Sequence, residues 1–491
     1  MKKTLFILLI TVSAITVKGE EYTLTLEQSI AIAKEKSYTM RRLVQDLKIA
    51  EYHLKSASSS LKTHIDMNWT LPSYKQGVQQ DANHSGIFFP VKQLSYSTGL
   101  TISQPLLTDG SIFVQSGLNS IHDYYDDSQA ANLNTQIGFK QPLNAFYGYN
   151  AIKTALKNAE LGYERANKVL KRNELMLITQ VSNAYYTLLL SQKSAEIAKL
   201  NLERQTDAYD ISKKKYEAGL IREVDALQME VDLAEAQSNY DMEVLNQSSA
   251  LNSFKELIGI QLNDGVTLSS ELLYKIIVID PERAVKLALE NRSEIREQEI
   301  SVELLKLDLK RQQANGMVRA NLEAFFGKEG IQPLTPNAGL FESISNASNN
   351  FGNRSYNYGI GFTVAIPLFD WGENRALVRA AQARIQQSEL DRESSQRSIE
   401  TEVRNLVASI GTSLKRLQLL EKNVAVAEKS FEITLQRFSD GDIDSQSLAL
   451  ERARLNTAHT SHLSAYISYQ MALTNLMRAT FYDFQNEVAV Q

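Results

Sequence analysis

The sequence predicts an α+β membrane protein. Long α-helical coiled-coil hairpins join a transmembrane β-barrel shared by three protomers, and the chain is duplicated on itself. Three observations predict this. Two zones of more than 100 residues carry no proline and almost no glycine. Ahead of each zone the hydrophobic period changes from 3.5 to 2. The two halves also align with each other at fixed offsets.

The first element is an export signal. Lys2 and Lys3 precede an apolar run from Leu5 to Val17, which is too short to span a bilayer comfortably. Val17 and Gly19 suit the −3 and −1 positions, which places cleavage after Gly19 and makes residues 1–19 the signal peptide. Removal takes away Lys2, Lys3 and Lys18 and no acid, so the net charge of −5 becomes −8 in a mature chain of 472 residues. That mild acidity gives no support for nucleic-acid binding. The absence of cysteine excludes disulfides, thiolate metal sites, cysteine nucleophiles and a lipidated N-terminal cysteine. No later run of 18 apolar residues reads as a transmembrane helix.

The first repeat, residues 20–262, opens with a helix started at Thr25 or Ser29. Residues 26, 33, 40, 47, 54 and 61 (Leu, Ala, Met, Leu, Leu, Leu) form its heptad stripe. Strands follow at about 63–71 and 133–143. In the first, Ile65, Met67, Trp69 and Leu71 alternate with His64, Asp66, Asn68 and Thr70. Residues 94–106 alternate as cleanly. The 72–133 piece also carries Gln104-Pro105-Leu106 and Asp109-Gly110, so an additional hairpin, or a different choice of barrel strand, stays open. Phe88-Phe89-Pro90 reads as an external loop.

The first punctuator-free zone follows. Within 149–258 the only glycines are Gly162 and Gly219, and prolines are absent from 143 to 280. This is one helical hairpin with its tip near 219. An arm of 60 residues reaches ~90 Å and needs partners along its length. Positions 181, 188, 195, 202, 209 and 216 are Val, Leu, Ala, Leu, Tyr and Tyr, while 184, 191, 198, 205 and 212 are Ala, Ser, Ala, Gln and Ser. One large column beside one small column packs closely against several neighbours.

After a linker at 263–281, the second repeat covers 282–484, with a tail at 485–491. Asp280-Pro281 starts its first helix. Strands are expected at about 319–327 and 356–369. In the latter, Tyr356, Tyr358, Ile360, Phe362, Val364, Ile366 and Leu368 oppose small or polar residues, as a barrel strand requires. Asn346 to Asn353 reads as an external loop. Within 373–491 the only glycines are Gly411 and Gly441. The hairpins align at an offset of 222 (Gly219 on Gly441, Tyr216 on Phe438) and the opening helices at 255 (Arg41 on Arg296).

Four strands cannot close a useful barrel, and lipid does not tolerate an open sheet edge. Three protomers of four strands would give twelve. The alternative, a single-chain barrel, needs more strands than the pattern supplies.

Together these features resemble the TolC family of outer membrane efflux ducts. Gln141-Pro142-Leu143 and Ile366-Pro367-Leu368-Phe369-Asp370-Trp371-Gly372 are similar to the family's strand-to-helix transitions. Tyr216-Glu217-Ala218-Gly219-Leu220 and Phe438-Ser439-Asp440-Gly441 are similar to its hairpin tips. The resemblance covers essentially the whole mature chain. It implies a homotrimer in the outer membrane of a Gram-negative bacterium, with a twelve-stranded barrel and a periplasmic α-barrel tunnel. It implies docking to a periplasmic adaptor and an inner-membrane transporter, with Gly219, Leu220 and Gly441 as adaptor-contact tips. The family's acidic pore ring lies six and nine positions after the second tip glycine. Here those positions are Ser447 and Leu450, so the ring does not carry over. The matching first-half residue is Asp225.

Asp440, Asp442 and Asp444 surround the second tip and, with Asp225, are the candidates for a periplasmic constriction. The competing reading is a solvated turn whose aspartates serve turn geometry and the next helix's cap. No catalytic, cofactor or metal site is expected. His459 and His462 share a helix face without a third ligand at helical spacing, and Glu27 and Glu282 read as helix-dipole partners. Lys213-Lys214-Lys215 reads as a solvated face, with contact to an acidic adaptor surface as its functional alternative. A passive conduit is therefore the leading function. An envelope structural or receptor protein anchored by a β-barrel, without transport, is the alternative.

Overall fold

The computed structural model describes residues 21–80, 86, 88–269 and 272–490. The expected export signal lies outside them. The elements in chain order are β1 (Glu21–Leu24), α1 (Leu26–Lys36), α2 (Tyr38–Ser59), β2 (His64–Gln80), β3 (Phe88–Pro105), β4 (Ser111–Asp123), β5 (Ser128–Pro142), the short α3 (Asn144–Tyr147), α4 (Ala151–Glu217), α5 (Glu223–Ile258) and β6 (Gly265–Leu268). The second half holds α6 (Pro281–Asn291), α7 (Ser293–Asn315), β7 (Arg319–Pro336), α8 (Leu340–Asn353), β8 (Asn357–Ala365), α9 (Glu373–Asp440), α10 (Ser445–Thr480), β9 (Tyr482–Asp483) and β10 (Val488–Ala489).

The duplication is visible in the element lengths. α1 and α6 have 11 residues each, α2 and α7 have 22 and 23, α4 and α9 have 67 and 68, and α5 and α10 have 36 each. α6 starts 255 residues after α1, and α9 starts 222 residues after α4. The starts are encoded locally. Thr25 and Gln28 form a reciprocal capping box at 3.2 and 2.9 Å. Asp280 accepts from the amides of Glu282 and Arg283, with Pro281 at the first helical position.

The chain divides into two compact units. One holds the residues up to 46, 168–295 and those from 393 on. Its core is the seam that the heptads mark out: Val181 and Leu188 on α4 and Val403, Ile410 and Leu417 on α9 are all buried. Phe254, Ile258, Tyr469 and Leu476 from the returning helices, and Ala284 and Ala288 of α6, complete it. β1 pairs in parallel with β6, joining the start of the chain to the linker.

The other unit, residues 47–167 and 296–392, carries the sheet. Here the structure departs from four strands. A single antiparallel sheet of six has the order β2-β3-β4-β5-β7-β8. The 72–133 segment contributes most of β2, all of β3 and β4, and the start of β5. Phe88–Pro90, expected in a loop, begins β3. Asn346–Asn353, also expected in a loop, lies in α8, because Leu340, Ile344, Ala347 and Phe351 recur at helical spacing beneath the asparagines. The strand expected to reach 369 ends at Ala365, just ahead of Pro367.

The sheet has two distinct faces. Ile65, Ile102, Val114, Ile137, Phe326 and Tyr358 lie on one, with Asp66, Thr101, Gln115, Gln136, Gly327 and Gly359 on the other. Far from the strand-to-helix turns, α8 covers the first face. A Cβ on Gly330 would overlap the Ala347 carbonyl and Phe351, so only glycine admits the helix there.

Candidate functional site: the paired hairpin tips

Both helical hairpins turn by the same device. At the end of α4, the Leu220 amide donates to the Lys215 carbonyl at 2.8 Å and the Gly219 amide donates to that of Tyr216 at 2.8 Å. At the end of α9, Asp442 donates to Arg437 at 2.9 Å and Gly441 to Phe438 at 3.2 Å. This paired closure is the Schellman motif, which needs a left-handed residue after the helix. Gly219 and Gly441 supply it, with φ of 72° and 84°.

The next helices start differently. Asp444 caps α10 by accepting from the Ser447 amide at 2.9 Å. α5 has Arg222 at the cap position, and this guanidinium makes two hydrogen bonds to Asp225, at 3.1 and 3.0 Å. Both carboxyls are held below the usual carboxylate range. The cause is Arg222 for Asp225, with Asp444 working weakly against it, and hydrogen bonds from Ser447 for Asp444. Asp440 and Asp442 are exposed at the tip itself. Of the four candidate constriction residues, Asp225 and Asp444 are therefore engaged in local structure, while Asp440, Asp442 and Asp444 are exposed.

The two tips are packed together. Ala208, Met229, Phe431, Phe438, Leu448 and Leu455 form a buried cluster drawn from all four arms. Arg452 of α10 reaches Asp232 of α5 at 3.3 Å, and both side chains are only 14% exposed. The Lys215 ammonium donates to the Phe438 carbonyl at 2.6 Å and sits 4.7 Å from the centre of its ring. Lys215 thus binds the C-terminal end of the other hairpin's helix, where carbonyls lack intrahelical partners. Lys213 and Lys214 are exposed, as a solvated face requires, but Lys215 is not. Its heptad position beside buried Ser212 is the sequence signal that would have separated it from its neighbours. Leu220, Val224 and Leu227 leave an apolar strip exposed beside the first tip, with Leu220 at 73%.

His459 stands 3.5 Å from Glu428, and burial lowers its pKa. Among the described residues no group of three His, Asp or Glu side chains could hold a metal ion. Glu282 pairs with Arg404 of α9 at 2.6 Å, tying the start of α6 to the long helix.

The sequence model of the outer membrane efflux protein family matches residues 94–260 and 284–480, one stretch in each half of the chain. The chain belongs to the outer membrane efflux protein family. Two relatives of this family member are secretion and outer membrane proteins. It is 22% identical over 324 residues to the alkaline protease secretion protein AprF of Pseudomonas aeruginosa, covering 65% of this chain and 63% of that protein. It is 24% identical over 355 residues to the outer membrane protein TolC of Vibrio cholerae, covering 71% of this chain and 76% of that one. The fold matches the outer membrane channel CmeC of Campylobacter jejuni with a TM-score of 0.70 at 14% identity, over 94% of this chain and 89% of that one.

Proposed function

We propose that this efflux-family protein is the outer membrane duct of a tripartite efflux or type I secretion system. It would conduct substrates passively from a periplasmic adaptor and inner-membrane pump to the exterior. The observation that carries this is the two-faced sheet. Its apolar face is exposed from Ile65 on β2 to Ile360 on β8, and each of these edge strands pairs on one side only among the described residues. Lipid accepts such a sheet only when the edges are closed, and copies of the same chain can close them around a common axis. Three copies make a homotrimer, and the same symmetry would set the helical hairpins side by side as an α-barrel. Their paired tips, with Leu220 exposed, are the surface offered to an adaptor. Asp440 and Asp442 are then the residues that ring the narrow end.

Conductance of the purified protein in planar bilayers tests the reading. A duct gives discrete, reproducible steps. A spacer or receptor gives none, and that result would reject it.

A further inference from the structure

We propose that the shared barrel has eighteen strands, six from each copy, with the β3–β4 hairpin built into its wall. This rests on the shared-duct reading and departs from the twelve strands that four per chain would give. The hairpin has no counterpart in the second half. There β7 pairs directly with β8, and α8 stands in the connection. The insertion lengthens the first half by the 33 residues that separate the 255 and 222 offsets.

Three features place the hairpin in the wall. First, its faces continue those of its neighbours. Leu100 and Ile102 on β3 and Ile112 and Val114 on β4 carry the apolar face from Met67 and Ile65 to Ile137 and Phe139, and Thr101, Ser103, Gln115 and Asn119 carry the polar one. A hairpin folded away in water would not need a lipid-type face of its own.

Second, its turn is fixed to the strand-to-helix junctions. Asp109, at φ 67°, accepts from the first two amides of α4 at 3.3 and 3.2 Å. Asp370 plays a matching part at α9, accepting from the amides of Gly372, just before the helix, and Asn374, its second residue, at 2.9 and 3.0 Å. The inserted turn therefore supplies from 42 residues upstream the acid that the second half keeps next to its own helix. Gln141 clasps Thr108 with both ends of its amide at 2.7 Å, and Gln104, from the matching Gln-Pro-Leu, donates to the Leu61 carbonyl at 2.8 Å.

Third, six is even. Every neighbouring pair in the sheet is antiparallel, so β8 of one copy meets β2 of the next in antiparallel sense. With strands about 4.8 Å apart and tilted about 40°, the backbone diameter rises from about 24 Å for twelve strands to about 36 Å for eighteen.

Because the chain has no native cysteine, introduced thiols report alone. One arm tests the seam. Asp66→Cys, Asn68→Cys or Thr70→Cys is combined with Thr363→Cys, oxidised in the outer membrane and run on denaturing gels. The other arm tests the wall. Thr101→Cys and Gln115→Cys on the polar face, and Leu100→Cys and Val114→Cys on the apolar face, meet a charged thiol reagent in intact membranes, with total thiol measured after unfolding. The proposal expects covalent trimers from the seam. It also expects polar-face thiols to react at least about tenfold faster than apolar-face ones, because lipid excludes the charged reagent. Trimers together with equal reaction at all four wall positions would overturn the eighteen-stranded wall and leave the shared duct standing. Failure of every seam pair to crosslink, with a monomer in the membrane, would overturn both.

Discussion

Replacing Gly219 or Gly441 in turn by asparagine, alanine and valine isolates the energy of one left-handed residue in each tip. A Cβ built at either position meets nothing within 4 Å, so no neighbour resists the new side chain. The whole cost is backbone strain at φ of 72° and 84°. For alanine that is about 1–2 kcal/mol, with asparagine lower and β-branched valine higher. The assay is hydrogen exchange at the Leu220 and Asp442 amides, which close the two turns. Alanine should raise their opening roughly 5–30-fold, with asparagine below and valine above it, while the trimer survives. Export should fall in the same order if the tips dock an adaptor. Wild-type exchange in the valine variant, or faster exchange with asparagine than with valine, would refute the assignment of these turns.

Lys215→Met removes a charged hydrogen bond and a ring contact between the hairpins, so the Arg437–Asp442 segment should exchange about tenfold faster, for a loss of about 1–2 kcal/mol. Burial alone would raise the Glu402 carboxyl, but Arg292 and Arg478, each at 2.8 Å, lower it below its ordinary value. A depressed carboxyl stabilises the fold fully above its unfolded pKa of about 4.3 and loses that contribution as pH falls through the folded value. Glu402→Gln should therefore lower the melting temperature at pH 7, and the gap to wild type should close in acid. Asp440→Asn with Asp442→Asn should reduce cation selectivity of the channel, whereas Asp444→Asn, which keeps a capping side chain, should leave it unchanged. Single-channel reversal potentials separate these outcomes. Gly110→Val, whose Cβ would stand 2.5 Å from the Gln141 amide oxygen, should destabilise the β3–β4 turn and reduce the yield of folded protein.

The parts of this fold that repeat were the parts legible in sequence. Heptad columns named the buried seam from Val181 to Leu188 and from Val403 to Leu417 because a helix buries what recurs every seven residues. Gly219 and Gly441 stood out because each interrupts an arm that has almost no other glycine. What stayed hidden was nonlocal. The alternation at 94–106 was visible, but nothing in one strand names its neighbours, and β4 hides its period behind Ser116 on the apolar face and Phe113 on the polar one. α8 was masked by asparagine and serine, whose turn preference gave way to four apolar residues packing on the sheet. Among three adjacent lysines the heptad position sets Lys215 apart, but its partner, the Phe438 carbonyl, lies 223 residues away and is supplied only by the paired tips. Asp444 looked like a pore residue or a cap, and only the Ser447 amide beneath it favours the cap.

The central claim is that one chain cannot close this sheet and three can. Native mass spectrometry of the mature protein, released from outer membranes in mild detergent, measures that directly. The account predicts one dominant species of three times the mass that the same sample shows for its protomer after denaturation, resistant to dilution because its strands are hydrogen-bonded around the ring. A stable monomer that still conducts in bilayers would contradict it.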